Sequence, residues 1–171
     1  MSAAIDLLSP TGLSLEMAQR QVELLTGDPN TRMYVRLIHD QDRTRPAIKY
    51  FGTVSDLWTD IERHQGQGFG VFIVVNKGGD ADADIVEVRA AFIDADGVPL
   101  EGVRWHLRPD FIVQRNATHW HAYWICTDMP PAQFRDVQRW LANHYGGDPK
   151  VCNPSRVMRL AGTLHLKGDA K

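Results

Sequence analysis

The sequence predicts an α+β fold with largely antiparallel strands, and three observations carry that expectation. Apolar stripes of helical spacing follow Ser14, Ser55 and Pro130, while alternating or wholly apolar runs of strand length lie between them. Short polar turns join several of those runs, which favours neighbours that fold back on each other. The chain has 171 residues and is 43% apolar, enough for one domain with a sizeable core.

Taken in order, Ser14 caps a helix with Leu15, Ala18, Val22 and Leu25 on one stripe, closed by Gly27 and Pro29. Met33 to Ile38 alternates as a strand, Asp40 to Arg45 is a charged turn, and Lys49 to Thr53 is a short partner strand. Ser55 starts a second helix with Leu57, Trp58 and Ile61 inward. The glycines 66, 68 and 70 precede a strand instead of linking a strand to a helix, so they read as a turn and not as a phosphate loop. Val71 to Asn76 is an apolar strand, and Lys77 to Asp84 a Gly/Asp-rich loop with solvated aspartates. Glu87 to Asp94 is expected to pair with 71–76 as an antiparallel hairpin. After an irregular connection, Val98 to Pro109, Phe111–Gln114 and His119–Ile125 form a hairpin about a tight turn. Pro130 and Pro131 open a helix over Ala132–Tyr145 with Phe134, Val137 and Leu141 inward, stopped by Gly146 and Gly147. The remainder reads as extended, with His165 and Lys167 on one face.

The chemistry concentrates in three strings. Ala91-Phe92-Ile93-Asp94-Ala95-Asp96-Gly97 ends an apolar strand in two carboxylates on one face, roughly 6–7 Å apart. Their repulsion calls for compensation, either by a divalent cation held by oxygen ligands or by solvent at an Asp-rich turn. In the second string His119, His121 and Tyr123 share one strand face, and Trp120, Ala122 and Trp124 form the core face. The histidines suit a metal or a phosphate. The third places Arg156, Arg159, His165 and Lys167 within a dozen residues, a set suited to phosphate oxygens or to ordinary surface ion pairs.

Charge bears on the partner. The chain carries 19 Lys and Arg against 21 Asp and Glu, which argues against tight binding to DNA by bulk electrostatics. Residues 1–85 hold 8 basic against 12 acidic side chains and residues 86–171 hold 11 against 9, so the motif-bearing half is the basic one. No apolar stretch approaches a membrane span, and the N-terminus has no basic segment followed by an apolar one, so a cytoplasmic protein is expected. Cys126 and Cys152 are expected as reduced thiols.

Together the strings resemble the archaeo-eukaryotic primase superfamily, in particular the replication-protein primases of plasmids and phages. Asp94 and Asp96 match its Asp-x-Asp, and His121 matches the histidine of its small-x-His motif, with His119 in the small-residue position. Asp148 matches its third acid, and Arg156, Arg159, Leu160, Gly162, Thr163 and Lys167 match its Arg-x-x-Arg-Leu-Pro-Gly-Thr segment and downstream Lys, with Ala161 where the family has Pro. The likeness spans about residues 66–168.

It implies one primase catalytic domain over residues 1–171. An RNA-recognition-like antiparallel sheet with helices would lie within residues 67–171, preceded by a smaller αβ lobe over residues 1–66. It further implies a DNA primase or primase-polymerase that makes or extends primers on a single-stranded DNA template from NTPs or dNTPs. Two Mg2+ or Mn2+ ions would be held by Asp94, Asp96 and Asp148. His121 would contact the triphosphate, with Arg156, Arg159, His165 and Lys167 on phosphates. The piece would belong to a longer replication protein, with a helicase or a helical C-terminal domain as partner, and would be monomeric.

Two other readings remain. His119-Trp120-His121 also resembles the His-hydrophobic-His motif of HUH endonucleases, with Tyr145 as the nucleophile. Alternatively, Trp120, Tyr123 and Trp124 could stack bases on an exposed sheet of a catalytically inactive single-strand binder.

Overall fold

The computed structural model describes residues 12–167 and the backbone of residues 5–8. The chain forms two compact units, each drawn from two segments. The first unit takes Met1–Ser9 and Val75–Arg156; the second takes Pro10–Val74 and Val157–Lys171. The sequence reading placed a division near residue 66, between consecutive stretches. The observed division reflects strands that pair with partners distant along the chain, which local periodicity does not encode.

In the second unit, β2 (Met33–His39) runs antiparallel to β3 (Ile48–Gly52) and to β4 (Phe69–Val74). A short strand from the chain's end, Val157–Arg159, completes the order on the far side of β4. Alternation decides the faces: Met33, Val35 and Leu37 are buried, as are Ala18, Val22 and Leu25 of α1 (Leu15–Thr26) and Val54 and Ile61 of α2 (Val54–Gln65). Helix α1 starts as expected, with the Ser14 hydroxyl accepting from the Met17 N–H at 3.3 Å. Helix α2 starts earlier than Ser55, because Thr53 Oγ1 accepts from the Asp56 N–H at 3.0 Å and makes Thr53 the cap.

The first unit is a four-stranded sheet in which β5 (Ala90–Asp96) and β6 (Phe111–Asn116) flank β7 (His119–Ile125), both antiparallel to it. The N-terminal strand β1 (Ile5–Leu8) adds in parallel to β6. The expected hairpin between 71–76 and 87–94 does not form. Instead β4 belongs to the second unit's sheet, and a single bridge between Lys77 and Glu87 is what remains of the pairing.

Helix α3 (Pro131–Tyr145) has Pro at its first turn and ends at Gly146 in the left-handed region, as the sequence indicated. Its Leu141 and Tyr145 pack with Ala91, Ile93, Ala95, Ile112, Trp120, Ala122 and Trp124. The two buried indoles hold the irregular connection, since Trp120 Nε1 donates to the Val98 carbonyl at 2.8 Å and Trp124 Nε1 to the Leu107 carbonyl at 3.1 Å.

The loop aspartates are not all solvated. Asp82 Oδ1 accepts from the Ser155 N–H (2.9 Å), the Ser155 hydroxyl (2.7 Å) and Asn153 Nδ2 (3.1 Å). Burial alone would raise its pKa, but these donors and nearby Arg135 outweigh that and lower it. The final stretch is a strand only over Val157–Arg159; His165 and Lys167 lie beyond it in irregular chain and share no strand face.

Candidate active site

Pairing register places Asp94 opposite His121 and Asp96 opposite His119, all on the face of the first unit's sheet away from the tryptophans. Along that face the environment changes row by row. Phe92, Tyr123 and Phe111 form a fully buried aromatic row, with Phe111 and Tyr123 stacked at 4.5 Å. The next row holds Asp94, whose Oδ1 lies 3.2 Å from His121 Nε2. The last holds Asp96, whose Oδ1 lies 2.6 Å from His119 Nε2 and whose side chain is 83% exposed. The carboxylates therefore stand where the strand runs out of the core into solvent.

Each acid is compensated in part by a histidine, an answer to their repulsion that the strand string alone did not reveal. His119 is fixed at its other nitrogen, with Nδ1 2.9 Å from Asn116 Oδ1. His121 Nδ1 is buried and has no hydrogen-bond partner among the described residues. A buried imidazole nitrogen left so is unusual and points to a site built for more than packing.

The strand carrying the acids lies at the edge of its sheet, and its open side is closed by two devices. Gln138, fully buried on α3, accepts from the Phe92 N–H at 2.8 Å and donates to the Phe92 carbonyl at 2.8 Å, and it also donates to the Val151 carbonyl at 3.0 Å. Its amide thus stands in for a neighbouring strand. Two residues on, the Asp94 carbonyl accepts from the Asp148 N–H at 3.0 Å. Gly147 permits that approach: a Cβ there would sit 3.2 Å from Ile93 Cβ and 3.3 Å from the Asp94 carbonyl oxygen. The third acid is thereby tied to the first through the backbone, while its own Oδ1 accepts from the Lys150 N–H at 2.9 Å.

Among the described residues no three His, Cys, Asp or Glu side chains converge closely enough to hold a metal ion unaided. The donor set still fits a hard divalent cation. Mg2+ keeps several waters and is commonly held by one or two carboxylates together with substrate phosphates, so two aspartates in phase at a solvent-facing strand end are sufficient protein ligands.

The predicted cations fall differently. Arg156, in the first unit, is half-buried, and its N–H donates to the Asn153 carbonyl at 3.0 Å. Arg159 belongs to the second unit, where its guanidinium meets Asp40 at 2.9 Å and 3.3 Å, the Leu164 carbonyl at 3.3 Å, and the Phe72 ring at 4.5 Å. Gly70 makes room for this pair, because a Cβ there would come within 2.6 Å of both side chains. Burial raises the Asp40 pKa, and Arg159, the Leu166 N–H and His165 more than reverse it. In the same unit His165 is half-buried and Lys167 exposed.

The two rival readings lose their residues. Tyr145 packs against Trp105 and Trp124, on the sheet face opposite the histidines, and is 7% exposed, so it is not presented to a DNA strand as a nucleophile. Trp120, Tyr123 and Trp124 are buried and offer no stacking surface. Sequence reasoning missed Gln138, Asp40 and Asp82. A signal existed for Gln138, which shares the inward stripe of α3 with Phe134 and Leu141.

No family model and no curated protein matches the chain. Solved structures do. The archaeo-eukaryotic primase (AEP) domain of the cyanophage S-2L primase-polymerase is similar with a TM-score of 0.76 and 29% identity, over 91% of this chain and 85% of that one. The primase RepB′ aligns with a TM-score of 0.64 and 18% identity over 90% of this chain, which spans about half (51%) of RepB′. The catalytic domain of RepB′, solved with initiator DNA, aligns equally well over 78% of its length. These bear out the likeness drawn from the motifs: the α+β chain has the archaeo-eukaryotic primase fold.

Proposed function

We propose that this chain, having that fold, is the catalytic part of a DNA primase or primase-polymerase: a nucleotidyltransferase that makes or extends primers on single-stranded DNA. The observation that carries the reading is the Asp94–Asp96 pair, in phase on one strand at the solvent end of its sheet, with His121 opposite Asp94. Structural likeness to a phage primase-polymerase domain at 29% identity supports it.

Extension joins a primer 3′-oxygen to the α-phosphorus of a nucleoside triphosphate, with pyrophosphate leaving. Charge neutralisation and positioning do most of the work in such transfers. Asp94 and Asp96, with Asp148, would hold Mg2+ or Mn2+, which when bound lowers the pKa of the attacking hydroxyl and neutralises the leaving group. His121, hydrogen-bonded to Asp94, would orient toward the triphosphate. Arg156, Arg159, His165 and Lys167 would serve phosphate oxygens, Arg159 only by sharing its bond to Asp40. A plasmid- or phage-type replication protein, with a helicase or helical domain as partner, is the context this function suits. No helix among the described residues is long and apolar enough to cross a membrane.

The test is primer synthesis and extension on single-stranded DNA with labelled nucleotides and Mg2+ or Mn2+. Products from the intact chain should fall at least about a hundredfold in Asp94→Ala, in keeping with loss of several kcal/mol of transition-state stabilisation. Undiminished synthesis by Asp94→Ala and Asp96→Ala would sink the assignment.

A further inference from the structure

The first unit contains a polar network, around the loop that opens it, that the proposed chemistry does not use. Asn76 is 1% exposed; its Oδ1 accepts from the Arg89 N–H at 3.0 Å and its Nδ2 donates to the Pro154 carbonyl at 3.0 Å. Further along the loop, Asp82 Oδ1 accepts from the Ser155 N–H, the Ser155 hydroxyl and Asn153 Nδ2. The stretch that presents Asp82 is closed on itself. The Ala81 carbonyl accepts from the Asp84 N–H at 3.0 Å, Asp84 Oδ2 accepts from the Ala81 N–H at 3.3 Å, and Gly78 leaves no room for a Cβ against the Asp84 carbonyl. Asn153, Pro154 and Ser155 are thus each held by a side chain from 76–82. They form a tight turn that ends in Arg156, whose N–H donates back to the Asn153 carbonyl at 3.0 Å. The network also reaches α3, where Arg135 Nη2 lies 3.6 Å from Asp82 Oδ2. Gln138, its neighbour on the helix surface, bonds Phe92 in the acid-bearing strand and the Val151 carbonyl. One helix therefore holds the strand that carries Asp94 and, through Asp82, the turn that carries Arg156.

From this arrangement we infer that Asp82 is a positioning residue for nucleoside triphosphate binding: its carboxylate fixes the turn over residues 153–155 and so keeps Arg156 at a constant spacing from Asp94 and Asp96. A triphosphate reaching from the acids to an arginine has two anchor points, and a misplacement of about 1 Å between them can cost as much as a hundredfold. A carboxylate suits the task, because one oxygen accepts three donors while the other faces Arg135. The Asp82 side chain is 45% exposed, so its removal opens no cavity in the core. That Arg156 meets a phosphate rests on the proposed primase reading; the hold of Asp82 on its turn does not.

The experiment measures binding of a fluorescent dATP with Mg2+ by anisotropy, together with amide exchange over residues 153–156, in the intact chain, Asp82→Ala and Asp82→Asn. Asp82→Ala should speed exchange of the Ser155 amide and weaken dATP binding about tenfold, the loss of one charge-assisted hydrogen bond. Asp82→Asn keeps an accepting oxygen and should hold dATP affinity within about threefold of the intact chain. In an Arg156→Ala background, Asp82→Ala should weaken binding no further, because it acts through that arginine. In primer extension Asp82→Ala should raise the nucleotide KM with little change in kcat, whereas a merely structural role would lower the active fraction and leave KM where it was. The inference is overturned by dATP affinity that Asp82→Ala leaves unmoved, by equal losses in Asp82→Ala and Asp82→Asn, or by full additivity with Arg156→Ala. If the intact chain makes no primers, the primase reading fails while the binding series still decides the role of Asp82. If primer extension persists and dATP affinity is unmoved, that reading stands and the inference falls.

Discussion

The two sheets of this chain share a plan and differ in what they do with charge. Each has four strands and a buried apolar face, and the first unit also buries Phe111 and Tyr123 on the other face of its middle strands. The first unit sets Asp94 and Asp96 at the end of a strand, pairs them with histidines, and leaves Asp96 largely in water. The second sets Asp40 in the interior, 1% exposed, and clamps it with Arg159 through two hydrogen bonds. An acid held by a half-exposed imidazole keeps oxygens that a cation can reach. An acid sealed under a guanidinium is part of the scaffold. Motif spacing assigned Asp94 and Asp96 to metal ions and Arg159 to phosphates; burial adds that Arg159 also holds the second unit's interior acid.

The sharpest way to break that contrast is to remove the counter-charge. Arg159→Met should destabilise the protein by about 3–5 kcal/mol in urea unfolding, because it strands a buried carboxylate. Asp94→Ala, at a half-exposed pair, should cost less than about 1 kcal/mol. Equal losses in the two variants would remove the distinction between scaffold and site. Acid sharpens it further. The folded-state pKa of Asp40 lies below its ordinary 3.8, so its contribution is complete above that value and is lost as pH falls through the folded value. The intact protein should therefore lose stability below about pH 4 more steeply than Arg159→Met, in which that linkage is gone.

A smaller effect probes the edge of the acid-bearing strand. Gln138→Leu keeps the volume but leaves the Phe92 N–H and carbonyl without their partner, and should cost about 2 kcal/mol. If Gln138 positions the acids, the variant should also lower kcat in primer extension with little change in nucleotide KM, whereas a purely structural role would move stability alone.

Much of this was legible in the sequence. Caps and periodicity located α1 and α3, and strand alternation separated the tryptophan face of β7 from its histidine face and put Asp94 and Asp96 together. What was hidden depended on partners far along the chain. The hairpin drawn between 71–76 and 87–94 satisfied local rules, yet those stretches lie in different sheets, since several partners compete for an apolar strand and proximity in sequence decides only some contests. The buried acid that Arg159 holds was hidden in the sequence because it lies 119 residues away. Asp82 looked like a solvated loop acid because its donors come from Asn153 and Ser155.

That separation has a consequence during synthesis. Asp40 leaves the ribosome 119 residues ahead of Arg159, roughly 6–24 s earlier at ordinary elongation rates. Until the guanidinium arrives, sealing the carboxylate would leave a buried charge without its counterpart, and β4 lacks the short strand that Val157–Arg159 supplies. The second unit is therefore expected to close only once its last strand has emerged. Ribosome-arrested chains ending at residue 156 should stay protease-sensitive through 33–74, and those that expose residue 167 should not.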